Sequence, residues 1–169
     1  PNVVRTALAF WHERQLLQTV GDEQWLSYGD VELKVNSIAH CLLVELGLQQ
    51  EDRVVLVSPS VPAFYLLQWA CFRVGIVPVP INADSPSSHV SAIIKLAEPK
   101  LVFCTTGRVK EDECPCQFWS SEEKVMGISE NPARLAVPSI DPDATAMLLP
   151  TSGTTGVPKL VIFTDSMMS

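Results

Sequence analysis

Nine consecutive residues carry the densest chemistry in this chain: Thr151-Ser152-Gly153-Thr154-Thr155-Gly156-Val157-Pro158-Lys159. Glycine lets a backbone take positive φ and come close to an anion. Successive backbone N–H groups in such a turn form an anion-binding nest. The Ser and Thr hydroxyls donate to phosphate oxygens, and Lys159 adds a compact positive charge. The composition is unsuited to a core and suited to a phosphate cradle. Thr151, Ser152, Gly153, Thr154, Thr155, Gly156 and Lys159 are therefore the candidate ligand-binding residues. A bare hairpin turn would need only one or two special residues. The flanks read as buried apolar strands, Ala146-Met147-Leu148-Leu149 before and Leu160-Val161-Ile162-Phe163 after, so the cassette joins two strands.

The elements that position this loop follow from the rest of the pattern. Val3 to Val20 has apolar residues at helical spacing and is expected to be an amphipathic helix closed by Gly21-Asp22, with Trp25-Leu26 as a short strand. Ser27-Tyr28-Gly29-Asp30 has a capping arrangement. Val31, Val35, Ile38, Leu42 and Leu46 mark one helix face, and Gly47 is placed to close it. Arg53–Val57 is an unbroken β-branched run of the kind buried on both faces of a parallel sheet. Ser60 is expected to cap a helix from about Pro62 to Val74, with Gly75 as its stop. Val77–Ile81, with two prolines, suits an edge strand. A turn-like stretch over 82–88, a helix over His89–Ala97 and a buried strand at Leu101–Cys104 follow.

This alternation predicts an α/β fold with a largely parallel sheet and helices on both faces. Residues 1–104 form the scaffold. Residues 105–143 are polar and acidic, and read as a surface connection with one short strand at Gln117-Phe118-Trp119. Residues 144–169 hold strand, phosphate loop and strand. Asp165 is expected to cap a helix beginning near Ser166.

Composition bounds the alternatives. The 169 residues are 47% hydrophobic and 18% charged, with a formal net charge of −7. No basic stripe is present, which argues against a nucleic-acid partner. No apolar run is long enough to span a bilayer. Cys41, Cys71 and Cys104 lie in apolar stretches and read as buried thiols. Cys114-Pro115-Cys116 lacks the further ligands that a zinc site needs, so no metal residues are assigned. Free thiols fit a reducing, cytoplasmic setting.

The cassette lacks the G-x-x-x-x-G-K-[ST] spacing of P-loop ATPases. It resembles instead the signature of the adenylate-forming superfamily, hydroxyl-S-G-[ST]-T-G-x-P-K, which it matches from Thr151 to Lys159 without a gap. That superfamily includes acyl-CoA synthetases, peptide-synthetase adenylation domains and luciferases. Ser27-Tyr28-Gly29-Asp30 resembles the family's T-Y-x-E/D helix start, and Asp52 through Asn82 is similar to its early core. Three flanks depart from the family pattern: Pro150 stands where an aromatic is usual, Leu160 where glycine is usual, and Asp165 where histidine is frequent.

The resemblance implies part of the large N-terminal, AMP-binding domain of a carboxylate-activating ligase. In such an enzyme a carboxylate attacks the α-phosphate of ATP, with Mg²⁺ screening the triphosphate. The acyl group then passes to a thiol, of coenzyme A or of a carrier domain's phosphopantetheine. The loop would grip the phosphates that leave as pyrophosphate. The catalytic residues, adenine pocket and acyl pocket are expected downstream, so the chain alone is expected to be inactive. The altered flanks motivate an alternative, a non-catalytic binding or regulatory relative.

Overall fold

The computed structural model describes residues 15–18, 25–130, 135–151 and 158–168. Its centre is a four-stranded parallel sheet. The strands are β3 (Arg53–Val57), β4 (Val77–Ile81), β5 (Leu101–Cys104) and β6 (Gln117–Trp119), in the order β4-β3-β5-β6. Residues 53–57 pair in register with 77–81, and Val54–Val57 pair with Leu101–Cys104.

The period-2 geometry of a strand explains the unbroken apolar runs. Val54 and Leu56 of β3, with Leu101 and Phe103 of β5, face one core. That core is covered by α1 (Tyr28–His40) and α2 (Pro62–Val74). Val55, Val57, Val102 and Cys104 face the opposite core, with Val79 and Ile81 of β4 and Val90, Ile93, Ile94 and Ala97 of α3 (Ser87–Ala97). The sheet is thus sandwiched between helices, as the alternating pattern predicts.

Local chemistry sets the helix ends. Ser27 Oγ accepts from the Asp30 amide at 3.1 Å, and Asp30 Oδ2 accepts from the Ser27 amide at 2.9 Å, a complete capping box. The helix continues past His40 as a π-helical turn, Cys41–Glu45, and stops at Gly47, whose φ is +69°. Helix α2 starts differently from expectation. Val61, not Ser60, is its N-cap, with no side-chain cap bond. Pro62 takes the first turn, where its missing N–H costs nothing. Gly75 ends α2 at φ +75°, and its carbonyl accepts from the Glu51 amide at 2.9 Å.

The N-terminal expectation is corrected in part. Gln15–Gln18 is a strand, β1, paired antiparallel with β2 (Trp25–Ser27). Cross-strand pairing supplies its backbone partners, which periodicity alone does not reveal. The rest of the expected Val3–Val20 helix, including His12, lies outside the described residues. Residues 105–143 form more than a surface connection. Beyond β6 they add a 3-10 turn (Glu111–Glu113) and a short helix, α4 (Glu122–Met126), and bury Val109, Trp119 and Val125. No described helix is long and apolar enough to cross a membrane.

Cys41, Cys71 and Cys104 are buried and free, as their apolar settings suggest. Cys114 and Cys116 are half-buried free thiols packed against the second core. Burial, aided by the neighbouring thiols of Cys116 and Cys104 and the acids Glu113 and Asp112, pushes the Cys114 thiol up to about 11. Among the described residues no group of His, Cys, Asp and Glu is arranged to hold a metal.

Three outcomes follow from this packing. Phe103→Ala should lower stability to urea by about 3–5 kcal/mol, and Ser27→Ala by about 1 kcal/mol. Alkylation of Cys114 should climb roughly tenfold per pH unit from about pH 8 to 10, because only the thiolate reacts. The raised folded pKa also sets a sign. The neutral thiol's contribution to stability is complete below the unfolded value of 9.0 and is lost as pH rises through about 11. Peptide mapping after timed iodoacetamide exposure checks this; a rate that levels off by pH 9 would contradict the burial.

Candidate functional site: a strand–loop–strand hairpin

The candidate phosphate cassette sits between β7 (Thr145–Thr151) and β8 (Lys159–Thr164), an antiparallel pair forming its own two-stranded sheet. The register runs from Thr145↔Thr164 to Thr151↔Lys159, with an irregularity between Thr145 and Met147. Thr151 and Lys159 are thus the last matched pair before the loop. Directly opposed residues place their Cβ atoms about 4.5–5.5 Å apart on one face. Thr151 and Lys159 therefore sit side by side at the hairpin's mouth, and both residues are exposed. Ser152, Gly153, Thr154, Thr155 and Gly156 lie outside the described residues.

Lys159 brings a positive charge to the mouth. Neither of the two ion pairs observed among the described residues, Lys34–Glu130 and Arg73–Glu32, involves Lys159. Asp165 follows the far end of β8. At about 3.3 Å per residue the strand separates it from Lys159 by roughly 20 Å, well beyond the screening length of physiological salt. The acid at a position where the family often has histidine therefore does not oppose charge at the lysine.

Asp165 also differs from its expected role. Thr164 is the N-cap of a 3-10 turn, Asp165–Met167, and Asp165 is the turn's first residue. The Asp165 amide donates to Ala144 O at 3.2 Å and the Ser166 amide to Pro142 O at 2.9 Å. These bonds close the base of the hairpin opposite its mouth. Pro150 and Leu160, two of the departures from the family signature, face each other across the hairpin.

The hairpin strands are less buried than their apolar sequences imply. Leu148 and Leu160 pack on the second core, and Gln68 Nε2 of α2 donates to Met147 Sδ at 3.7 Å. On β8, however, Val161 is 43% and Ile162 59% exposed. The hairpin is docked on the scaffold through Met147, Leu148 and Leu160, while the middle of β8 stays exposed at Val161 and Ile162. An apolar run shows that a strand is suited to burial; it does not show which part of a chain buries it.

Sequence reasoning missed one polar feature. Thr105 Oγ1 donates to the Oγ of the buried Ser58 at 2.9 Å, joining the residues that follow β3 and β5. The strand order reverses between these two strands, the position where open α/β sheets form a crevice. Its only sequence signal is a hydroxyl residue directly after each apolar run. A groove of about 1260 Å³ lies at the opposite ends of the strands, beside Asp52, Lys100 and Gln117. No described hairpin residue lines it.

The chain matches the family described as AMP-binding enzyme over residues 4–169. It is 27% identical to fatty acyl-CoA synthetase A of Dictyostelium discoideum, over 88% of this chain and 26% of that protein. It is 30% identical to an L-proline–[L-prolyl-carrier protein] ligase of Pseudomonas fluorescens, over 83% of this chain and 30% of the relative. Its fold is that of the N-terminal subdomain of Klebsiella oxytoca NpsA, with a TM-score of 0.81, 22% identity, and coverage of 98% of this chain and 40% of the other. The o-succinylbenzoate coenzyme A synthetase of Bacillus subtilis gives a TM-score of 0.81 at 20% identity, with 97% and 42% coverage. The chain thus spans less than a third of these two curated relatives. On the residues matched and the fold they form, the chain belongs to the AMP-binding enzyme family, the adenylate-forming superfamily, of which it represents an N-terminal portion.

Proposed function

We propose that this chain supplies the polyphosphate grip of an ATP-dependent ligase that activates carboxylic acids as acyl-adenylates. The observation that carries the reading is the hairpin register: it places Thr151 and Lys159 side by side at the two ends of a hydroxyl- and glycine-rich loop. Both residues are exposed, and Lys159 is in neither of the observed ion pairs. That arrangement suits the terminal phosphates of ATP.

In this reading Lys159 and the hydroxyls of Thr151, Ser152, Thr154 and Thr155 hold the β- and γ-phosphates, while Gly153 and Gly156 allow the backbone to approach. ATP, bound as its magnesium complex, supplies the α-phosphorus that the carboxylate attacks, and pyrophosphate leaves. Hydrogen bonds and charge fixed on the leaving group help most as negative charge accumulates there. The acyl group then passes to a thiol of coenzyme A or a carrier pantetheine; relatives named for each kind of acceptor support that class of product. The free buried thiols favour a reducing compartment. Fatty, aromatic and amino acids all remain within the reading, because the acyl pocket is built from other residues.

The test is acid-dependent exchange of pyrophosphate into ATP by the full-length protein, across a panel of carboxylic acids. Lys159→Ala should reduce exchange about 10- to 100-fold, the range expected for losing a charge-assisted contact. Unchanged exchange in that variant would remove Lys159 from the site. The 169-residue chain alone should show no acid-dependent exchange. ATP binding by the full-length protein without exchange for any acid would favour the non-catalytic alternative that the altered flanks motivate.

A further inference from the structure

The hairpin lies beside β4, yet the two belong to separate sheets. No strand ladder pairs Val77–Ile81 with Thr145–Thr151 among the described residues. The sequence of β4, Val77-Pro78-Val79-Pro80-Ile81, explains the break. In a parallel ladder the amide and carbonyl of one residue point to the same neighbour, and those of the next residue point to the opposite side. The Val77 amide donates to Asp52 O at 2.8 Å, which fixes the phase. Val77, Val79 and Ile81 therefore turn their backbone groups toward β3. Pro78 and Pro80 turn theirs away from β3, on the flank where β7 lies. Neither has an N–H to give.

From this phase we infer that Pro78 and Pro80 are positioning residues for the phosphate loop: they withhold from β7 the donor half of a hydrogen-bonded ladder with the main sheet, leaving only carbonyls on that flank. The hairpin is then held by side-chain packing through Leu148 and Leu160, by the Gln68–Met147 contact, and by its own base. Such contacts are less directional than a ladder. They let the hairpin settle relative to the sheet as phosphate enters and leaves. Pro78 is buried and Pro80 half-buried, so the missing donors are not a solvent-side accommodation. A residue with an N–H at either position would carry a donor toward β7. The register places both prolines on the same flank, where a single residue's shift would have put them against β3 and cost that ladder its donors.

The link to phosphate rests on the function proposed above; the decoupling does not. The test uses Pro78→Ala/Pro80→Ala in the full-length protein. Without nucleotide, hydrogen exchange read by mass spectrometry should show peptides of residues 145–151 slowed at least tenfold, with the new amides at 78 and 80 protected like that of Val79. Pro80→Ala alone, at the more tolerant half-buried position, should give a smaller slowing and guards against misfolding of the double variant. Unchanged exchange over 145–151 in a folded Pro80→Ala protein, with a rapidly exchanging amide at 80, would overturn the inference. With MgATP, the stitched variants should show altered kcat at nearly unchanged KM for the acid. Slowed exchange over 145–151 without any response to ATP would uphold the decoupling and count against the phosphate reading.

Discussion

Burial of β3 and β5 on both faces is the constraint on which the rest of the fold depends. Val54, Leu56, Leu101 and Phe103 look into one core, and Val55, Val57, Val102 and Cys104 into the other. A strand of this kind has no face left for water, so each side must be roofed. The first roof is α1 and α2. The second is shared by α3 and, through Leu148 and Leu160, by the β7–β8 hairpin. The loop-bearing unit is therefore a component of the core as well as the carrier of the candidate site.

That sharing explains the division of labour in the hairpin. Its docked side anchors it, its base is closed by backbone bonds to Pro142 and Ala144, and its mouth presents Thr151 and Lys159 to solvent. Anchoring and presentation are separated along the same two strands. Asp165, at the far end, belongs to the base and not to the electrostatics of the mouth.

Much of this was readable from the amino acids, where a local rule and the tertiary structure agree. The Ser27–Asp30 capping box, the Gly75 stop and the two-sided strands at Arg53–Val57 and Leu101–Cys104 are such cases. The misses have a common cause. Gln15–Gln18 is a strand because Trp25–Ser27 pairs with it, and periodicity carries no information about pairing. Ser60 yields the cap position to Val61 because Pro62 sets the first turn. The acidic stretch after Cys104 hides Trp119 and Val125, buried residues separated by too little periodic sequence to register as core elements. At the site, residue types and their order identified the cassette, whereas the pairing of Thr151 with Lys159 required the hairpin's register.

The outer rim of β8 has a practical consequence. Its other edge is taken by β7, while Val161 and Ile162 project apolar surface beside backbone groups that no described strand engages. A rim of that kind is a template for adventitious strand addition. For this polypeptide the same hairpin thus carries both the candidate site and a source of self-association, and a charged replacement at Ile162 offers a way to keep concentrated samples dispersed without touching either core.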